Sequence, residues 1–523
     1  MKRLPIDISS FKMLIENNYL YIDKTQYIYK AITTGRYYFL SRPRRFGKSL
    51  LISTLHELFS GNRELFKDLW IAKSDYKWTE HPVINLDFSD LDISSPDELK
   101  AGLSSSLDDI AKKHSIDISA KCTPGLKLKA LVKDLALKNQ VVVLIDEYDY
   151  PLINNLDDLK IAKANQKILK NFFSVLKSLN ADLRAIFLTG VTKFSKTSVF
   201  SGLNNLNDIT IDENAAALLG YTKEEIEKYF SPFITEIAIK LEVPITKVKE
   251  EMQRWYNGYR FSVDVPLNVY NPFSILYFLE KQKFWNYWFE SGTPSFLMDL
   301  IKNQYKNLED FESVEFSYDS LGTFDIVGKI PIITLLFQTG YLTIKDYDSA
   351  TRRFKVGYPN FEVQESFQKY ILAAISNNNA NEIEDIAHHL NNALKEKNIP
   401  LFCTLLQSLF ATIPYQLHIS EERYYHSLFQ LIGNLLRFNI QSEISTDKGR
   451  IDLVITTQTN IFIFELKFGL NAKAALQQII DTKYYERYLG SKKEIILIGL
   501  SFNNKKKKLF LTHECIPLTD VLK

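Results

Sequence analysis

The stretch "FLSRPRRFGKSLLISTL", Phe39–Leu55, decides how the chain is read. A short apolar run, "YYFLS" (37–41), leads into it, and the amphipathic segment "LLISTLHELF" (50–59) leads out. Strand, loop and helix in that order are the context of the phosphate-loop pattern G-x-x-x-x-G-K-[ST], in which backbone N–H groups curl around phosphate at a helix N-terminus. Gly47, Lys48 and Ser49 fit that pattern, whereas Arg42 stands where its first glycine belongs. Gly47 lets the backbone pass close to a phosphate, Lys48 reaches the β and γ oxygens, and the Ser49 hydroxyl takes a place on Mg²⁺. The loop Arg45, Phe46, Gly47, Lys48, Ser49 and Leu50 is therefore the candidate nucleotide contact, with Pro43 able to hold it open. Arg42, Arg44 and Arg45 could neutralise phosphate, pair with acidic neighbours or solvate the loop.

Further runs of the same kind follow. "VINLDF" (83–88), "VVVLID" (141–146) and "RAIFLTG" (184–190) read as strands buried on both faces, separated by amphipathic segments such as "QKILKNFFSVLKSL" (166–179). Buried strands alternating with helices predict an α/β domain with a parallel sheet. "VVVLIDEYD" ends in Asp146 and Glu147, where Mg²⁺ waters need an acceptor and where an attacking water needs a base. Asp146 is the candidate for the first role and Glu147 for the second. Thr189 or Thr192, ending the next strand, would face the γ-phosphate.

The last quarter supplies another constellation. "GRIDLVI" (449–455) and "IFIFELKF" (461–468) read as adjacent strands carrying Asp452, Glu465 and Lys467 in the spacing D-x₁₂-E-x-K. Residues two apart on a strand share a face, so Glu465 and Lys467 point together. Carboxylates on a buried face are costly unless they hold something, and Mg²⁺ is the hard cation that suits them. Such an ion binds a scissile phosphate and activates water, with Lys467 polarising that water or the developing charge. Gln478, on a helix expected over 471–488, reaches the phosphate or the metal water. Glu422, on a helix expected over 420–437, adds a carboxylate, and His426 follows one turn later.

Composition sets the limits. The chain has 523 residues, 46% hydrophobic and 24% charged, with a formal net charge of +2, so no global field points to nucleic acid or membrane. Its basic excess lies in residues 400–523, with 15 Lys and Arg against 11 Asp and Glu. Cys122, Cys403 and Cys515 are too sparse for a disulfide framework or a metal-ligand pair. The first residues lack the apolar run of a secretory signal, and no stretch of about 18 apolar residues occurs, so a cytoplasmic location without membrane contact is expected. Helices dominate from 215 to 398, interrupted by "GYLTIKDYDSATRRFKVGYP" (340–359), a hairpin like the wing of a winged helix. "NNKKKK" (503–508) reads as an exposed turn between strands, blunting a sheet edge or meeting DNA phosphates.

Long motifs then identify a family. "LYIDKTQYI" (20–28), "FLSRPRRFGKSLLISTL", "VVVLIDEYD", "FLTGVTKFSKTSVFSGLNNLNDIT" (187–210), "WYNGYRF" (255–261) with "VYNPFSIL" (269–276), and "YWFESGTPSFL" (287–297) resemble the AAA-ATPase-like family. "EERYYHSLFQLIG" (421–433), "GRIDLVI", "IFIFELKF" and "ALQQIIDTKYYERY" (475–488) resemble its C-terminal PD-(D/E)XK nuclease partner. Within that family Arg42 is no anomaly, since "RPRRFGKS" is characteristic of it. The resemblance implies three regions: a P-loop NTPase domain over 1–214, a helical lid with a winged-helix-like element over 215–398, and a nuclease-like domain over 399–523. It implies ATP and Mg²⁺ at Lys48, Ser49, Asp146 and Glu147, and a nuclease-like site at Glu422, Asp452, Glu465, Lys467 and Gln478. Asn257, Gly258 and Tyr259 match its "YNGY" signature, and read most simply as a tight turn with glycine in a left-handed position. The expected function is ATP binding and hydrolysis that regulates a Mg²⁺-dependent DNA nuclease, in defence or mobile-element maintenance, with an oligomer left open. The rival expectation is a nucleotide-switched scaffold whose nuclease fold binds without cutting.

Overall fold

Burial on both faces is what makes β1 (Tyr37–Ser41) and β3 (Val141–Asp146) strands of a sheet interior, for every residue in them is buried. They belong to a five-stranded parallel sheet with β2 (Val83–Asp87), β4 (Leu183–Gly190) and β5 (Asn207–Asp208), in the order β2-β3-β4-β1-β5. The computed structural model describes residues 2–194, 199–200, 203, 205–290, 297, 311–317, 331–413, 422–436, 438–446, 449–505 and 508–522. All four strands expected in the first third are present, but β2, at the sheet edge, exposes Asn85 and Asp87 and is not buried on both faces. The fifth was not foreseen: two residues on the sheet edge make no apolar run.

The helix α1 (Lys48–Phe59) follows β1 and covers the sheet with Leu51, Ile52, Leu55 and Leu58, which join Leu40, Val142, Leu144 and Phe187 in one core. Because β4 lies between β1 and β3, the loop after β1 and the acidic end of β3 face each other across the end of β4. That topology sets the geometry of the candidate site.

The described residues divide into two compact units, Met1–Thr293 with Phe311–Val363, and Pro294–Asp310 with Gln364–Lys523. The first contains the parallel sheet, the helices Lys223–Lys240, Ile245–Tyr256 and α2 (Pro272–Lys281), and the expected hairpin. That hairpin pairs Thr343–Asp348 with Arg353–Gly357 and gains a third strand, Val314–Ser317. Gly258 adopts φ +112°, and a Cβ there would overlap the Pro359 carbonyl, which accounts for the glycine of "YNGY" by a close turn.

The second unit holds a mixed five-stranded sheet in chain order: β6 (Asn439–Thr446), β7 (Gly449–Thr456), β8 (Asn460–Phe468), β9 (Glu494–Lys505) and β10 (Lys508–Pro517). The β8–β9 pair is parallel and the others antiparallel. Alternate residues feed two cores. Phe462, Phe464 and Leu466 meet α4 (Glu422–Leu435) and α3 (Phe361–Ser376) among other helices, while Ile461 and Ile463 meet α5 (Ala472–Thr482). The helix expected to run to 488 stops at Thr482, because Lys483 turns into the left-handed region (φ +53°) and caps it. β9 and β10 pair as far as Lys505 opposite Lys508; residues 506 and 507 of the lysine tract lie outside the described residues.

Candidate functional site

Arg42 is the first residue after β1. Its N–H donates to the Gly190 carbonyl at 3.1 Å, continuing the β1–β4 ladder. Its guanidinium turns inward, 1% exposed, and donates to the carbonyls of Ser41 (2.9 Å), Thr210 (2.6 Å) and Ala215 (3.0 Å) while lying 4.1 Å over the Phe261 ring. Burial brings its pKa down to about 9. Of the readings left open for the three arginines, a phosphate contact is thus excluded for Arg42 here, which is a structural cation. Arg44 accepts a bond on its carbonyl from Trp288 Nε1 (2.9 Å). Arg45, exposed and at φ +65°, lies 3.8 Å from Asp7 and 4.9 Å over Phe273. Phe46 is buried edge-on against Tyr259 and Phe261, anchoring the loop.

Gly47 is the N-cap of α1 at φ +90°, with nothing within 4 Å of where a Cβ would sit. The glycine answers to backbone conformation, since space is plentiful. Lys48 opens the helix and folds its Nζ back to the Arg42 and Pro43 carbonyls at 3.2 Å each, strapping the loop around itself. Its charge acts on Glu147 and Asp149, across the end of β4.

Asp146 ends β3 and accepts from the Glu147 N–H at 3.0 Å and from the Thr189 hydroxyl. Glu147 sits at φ +47°, a costly conformation for a side-chain-bearing residue, and burial raises its pKa against the opposing pull of Lys48. Thr189 and Thr192 are fully buried. Thr189 donates to Asp146, and Thr192 to Asp149 at 2.7 Å. Buried carboxylates require such donors, and here that demand takes both threonines. Asp149, passed over in the sequence, also accepts from the N–H groups of Val191 and Thr192 and so ties the end of β3 to the loop after β4. Its only sequence signal was the second aspartate of "DEYD".

A cavity of about 660 Å³ opens over this loop. Its lining includes Pro5, Asp7–Ser9, Leu20–Ile22, Arg44–Leu51, Glu147, Leu218–Tyr221 and the first turns of α2.

In the second unit, the register that sets Leu453 against Phe464 carries Asp452 to Glu465 one step further on. There the ladder gives way, and Asp452 Oδ2 takes the Leu466 N–H at 2.7 Å. Glu465 is 1% exposed and accepts from Lys467 Nζ at 2.9 Å. His426 Nε2, from α4, lies 3.1 Å from the Asp452 carbonyl and 3.8 Å from its carboxylate. The contacts thus pair His426 with Asp452 and Lys467 with Glu465. Gln478 is half-buried on α5, the helix packed on the Glu465 face, and no side-chain bond joins it to that group in the contacts described. Glu422 opens α4 one turn before His426, but its side chain lies outside the described residues. Mg²⁺ takes several oxygen ligands, and among the described residues no three His, Cys, Asp or Glu side chains converge as a ligand set.

Residues 5–200 match the family described as Predicted AAA-ATPase, and residues 420–510 match the PD-(D/E)XK nuclease superfamily. The chain is also 35% identical, over 97% of its own length and 98% of the relative's, to "Uncharacterized protein in vnfD 5'region" of Azotobacter chroococcum mcd 1. The chain belongs to the AAA-ATPase-like family. In this AAA-ATPase-like protein the phosphate loop, Asp146 and Glu147 fall in the first matched segment, and Glu422, Asp452, Glu465, Lys467 and Gln478 in the second. Among the described residues no helix is long and apolar enough to cross a membrane.

Proposed function

We propose that this protein binds and hydrolyses ATP and that its nucleotide state regulates a Mg²⁺-dependent DNA nuclease. One observation carries the first half: Lys48, Ser49 and Glu147 line a single cavity beside a left-handed glycine at a helix N-terminus. Backbone N–H groups of residues 46–49 hold the phosphates, and Lys48 exchanges its loop carbonyls for phosphate oxygens. Glu147 orients the attacking water and takes its proton; its raised pKa is the direction a general base needs. Asp146, fixed by Thr189, and Ser49 would hold Mg²⁺, which when bound neutralises charge on the transferring phosphoryl group.

In the nuclease-like site Asp452 and Glu465 would hold the metal, whose chemistry there is to lower the pKa of a bound water. Lys467, now on Glu465, would polarise that water, and His426 steadies Asp452. Regulation is supported by a chain of bonds from the loop. Arg44 accepts from the Trp288 indole, the Trp288 N–H donates to Glu362 at 2.6 Å, and Glu362 begins α3, which continues into the second unit. A defence or mobile-element role suits an ATP-controlled nuclease.

One observation favours the second reading, a nucleotide-switched scaffold that binds without cutting. Glu465 is engaged by Lys467, Asp452 by the Leu466 N–H, and no third ligand joins them among the described residues.

The test is ATP binding and turnover in Lys48→Ala and Glu147→Gln. Lys48→Ala is expected to lose binding, whereas Glu147→Gln keeps binding and loses about 10²-fold or more in turnover. Wild-type rates in both variants would remove the ATPase reading.

A further inference from the structure

Glu147 has a left-handed backbone (φ +47°), which a residue with a side chain keeps only where its surroundings hold it. The two residues after it supply that hold. The Tyr148 N–H donates to the Thr189 carbonyl at 3.0 Å. Its hydroxyl donates to the Thr192 carbonyl at 3.0 Å and accepts from the Phe194 N–H at 3.2 Å. Asp149 is buried and accepts from the Val191 N–H (3.1 Å), the Thr192 N–H (2.6 Å) and the Thr192 hydroxyl (2.7 Å). A Cβ on Gly190 would lie 2.5 Å from Asp149 Oδ1 and 2.7 Å from the Tyr148 ring, so the approach is close enough to require glycine. The loop after β4 is held from elsewhere too: the Lys193 N–H donates to Gln338 Oε1 at 3.0 Å, and Lys193 Nζ pairs with Asp208 of β5. Glu147 lines the cavity over the loop after β1, whereas Asp149 is not part of its lining.

We propose that Asp149 is a positioning residue for ATP hydrolysis: by clamping the turn after β3 to the loop after β4, it aims the Glu147 carboxylate at the attacking water. The proposal rests on the ATPase reading, in which water bonds to the γ-phosphorus, the bond to ADP breaks and Glu147 takes the water's proton. It adds what fixes Glu147 in place. Both oxygens of Asp149 accept, so a carboxylate suits the position; an asparagine there turns an amide N–H₂ against an N–H or O–H donor. A base displaced by such a mismatch loses rate while the phosphates keep their loop.

The experiment measures ATP affinity by calorimetry and Mg²⁺-dependent turnover of the full chain for wild type, Asp149→Asn, Glu147→Gln and the double variant. Asp149→Asn is expected to bind ATP within about twofold of wild type and to turn over about tenfold or more slowly. The double variant is expected to match Glu147→Gln alone within about twofold, because no base is left to position. Thr192→Val removes one donor to Asp149 at nearly constant shape, and Thr192→Ser keeps it. If Asp149→Asn fails to fold, Thr192→Val carries the same pairing with Glu147→Gln at a smaller loss, and Thr192→Ser is expected to regain the rate. Wild-type turnover in a folded variant, a parallel loss of affinity, or a full further loss in the double variant would overturn the positioning role and leave the ATPase reading standing. A wild-type chain without turnover, or Glu147→Gln at the wild-type rate, would overturn both.

Discussion

Arg42 shows how a residue in a functional motif can serve the fold alone. Replacing it by glycine restores the textual phosphate-loop pattern, and sequence logic would count that an improvement. The expected result is the opposite. Arg42→Gly removes the donors to Ser41, Thr210 and Ala215, leaving their carbonyls in a dry interior. At about 1–3 kcal/mol for each buried group left unsatisfied, the first unit should lose several kcal/mol. Thermal or urea melts measure this, and a variant as stable as wild type would refute the assignment. None of it was legible in the sequence, because two of the three partners lie 168 and 173 residues away. The left-handed Gly47 ahead of a helix was legible, since it is set by local backbone form.

Elements were read well where burial dictates pattern and poorly where pairing does. The strands 37–41, 141–146 and 461–468 announce themselves by unbroken apolar runs. The edge strand β5 does not, nor does the break at Asp452, where a side chain replaces a ladder partner. Asp452, Glu465 and Lys467 could be grouped from alternation; His426 joined them only through α4 packing on the sheet. Helix α5 is seated by one residue. Gly499 pairs with Glu465, and a Cβ there would overlap the Ala472 carbonyl and the Leu476 N–H. Gly499→Ala is therefore expected to push α5 off the sheet, costing about 1–3 kcal/mol and moving Gln478 away from Glu465. Guanidinium or heat denaturation would register the loss, and an unshifted midpoint would mean that α5 tolerates the displacement.

At the scale of the whole molecule, Glu362 stands between the loop after β1 and the second unit in chain order. It is fully buried, accepts from Ser274 at 2.7 Å and from the Trp288 N–H, and burial lifts its pKa from the ordinary 4.5 to about 8. A carboxyl whose folded pKa is raised binds its proton more tightly when folded. Its contribution is complete below about pH 4.5 and is lost as pH rises through about 8. Glu362→Gln, permanently neutral, should therefore gain melting temperature relative to wild type between pH 6 and pH 9. A constant difference across that range would show that Glu362 does not titrate there.

The central claim, that one ligand site governs the other, is tested most directly by plasmid cleavage. Supercoiled DNA is incubated with Mg²⁺ and the full chain, with and without ATP, for wild type, Lys48→Ala and Glu465→Gln. The expected result is cleavage by wild type whose rate changes with ATP, the same cleavage without ATP dependence in Lys48→Ala, and none in Glu465→Gln. Cleavage indifferent to ATP in wild type would contradict the coupling, and DNA bound but left intact under every condition would contradict the nuclease in favour of the scaffold.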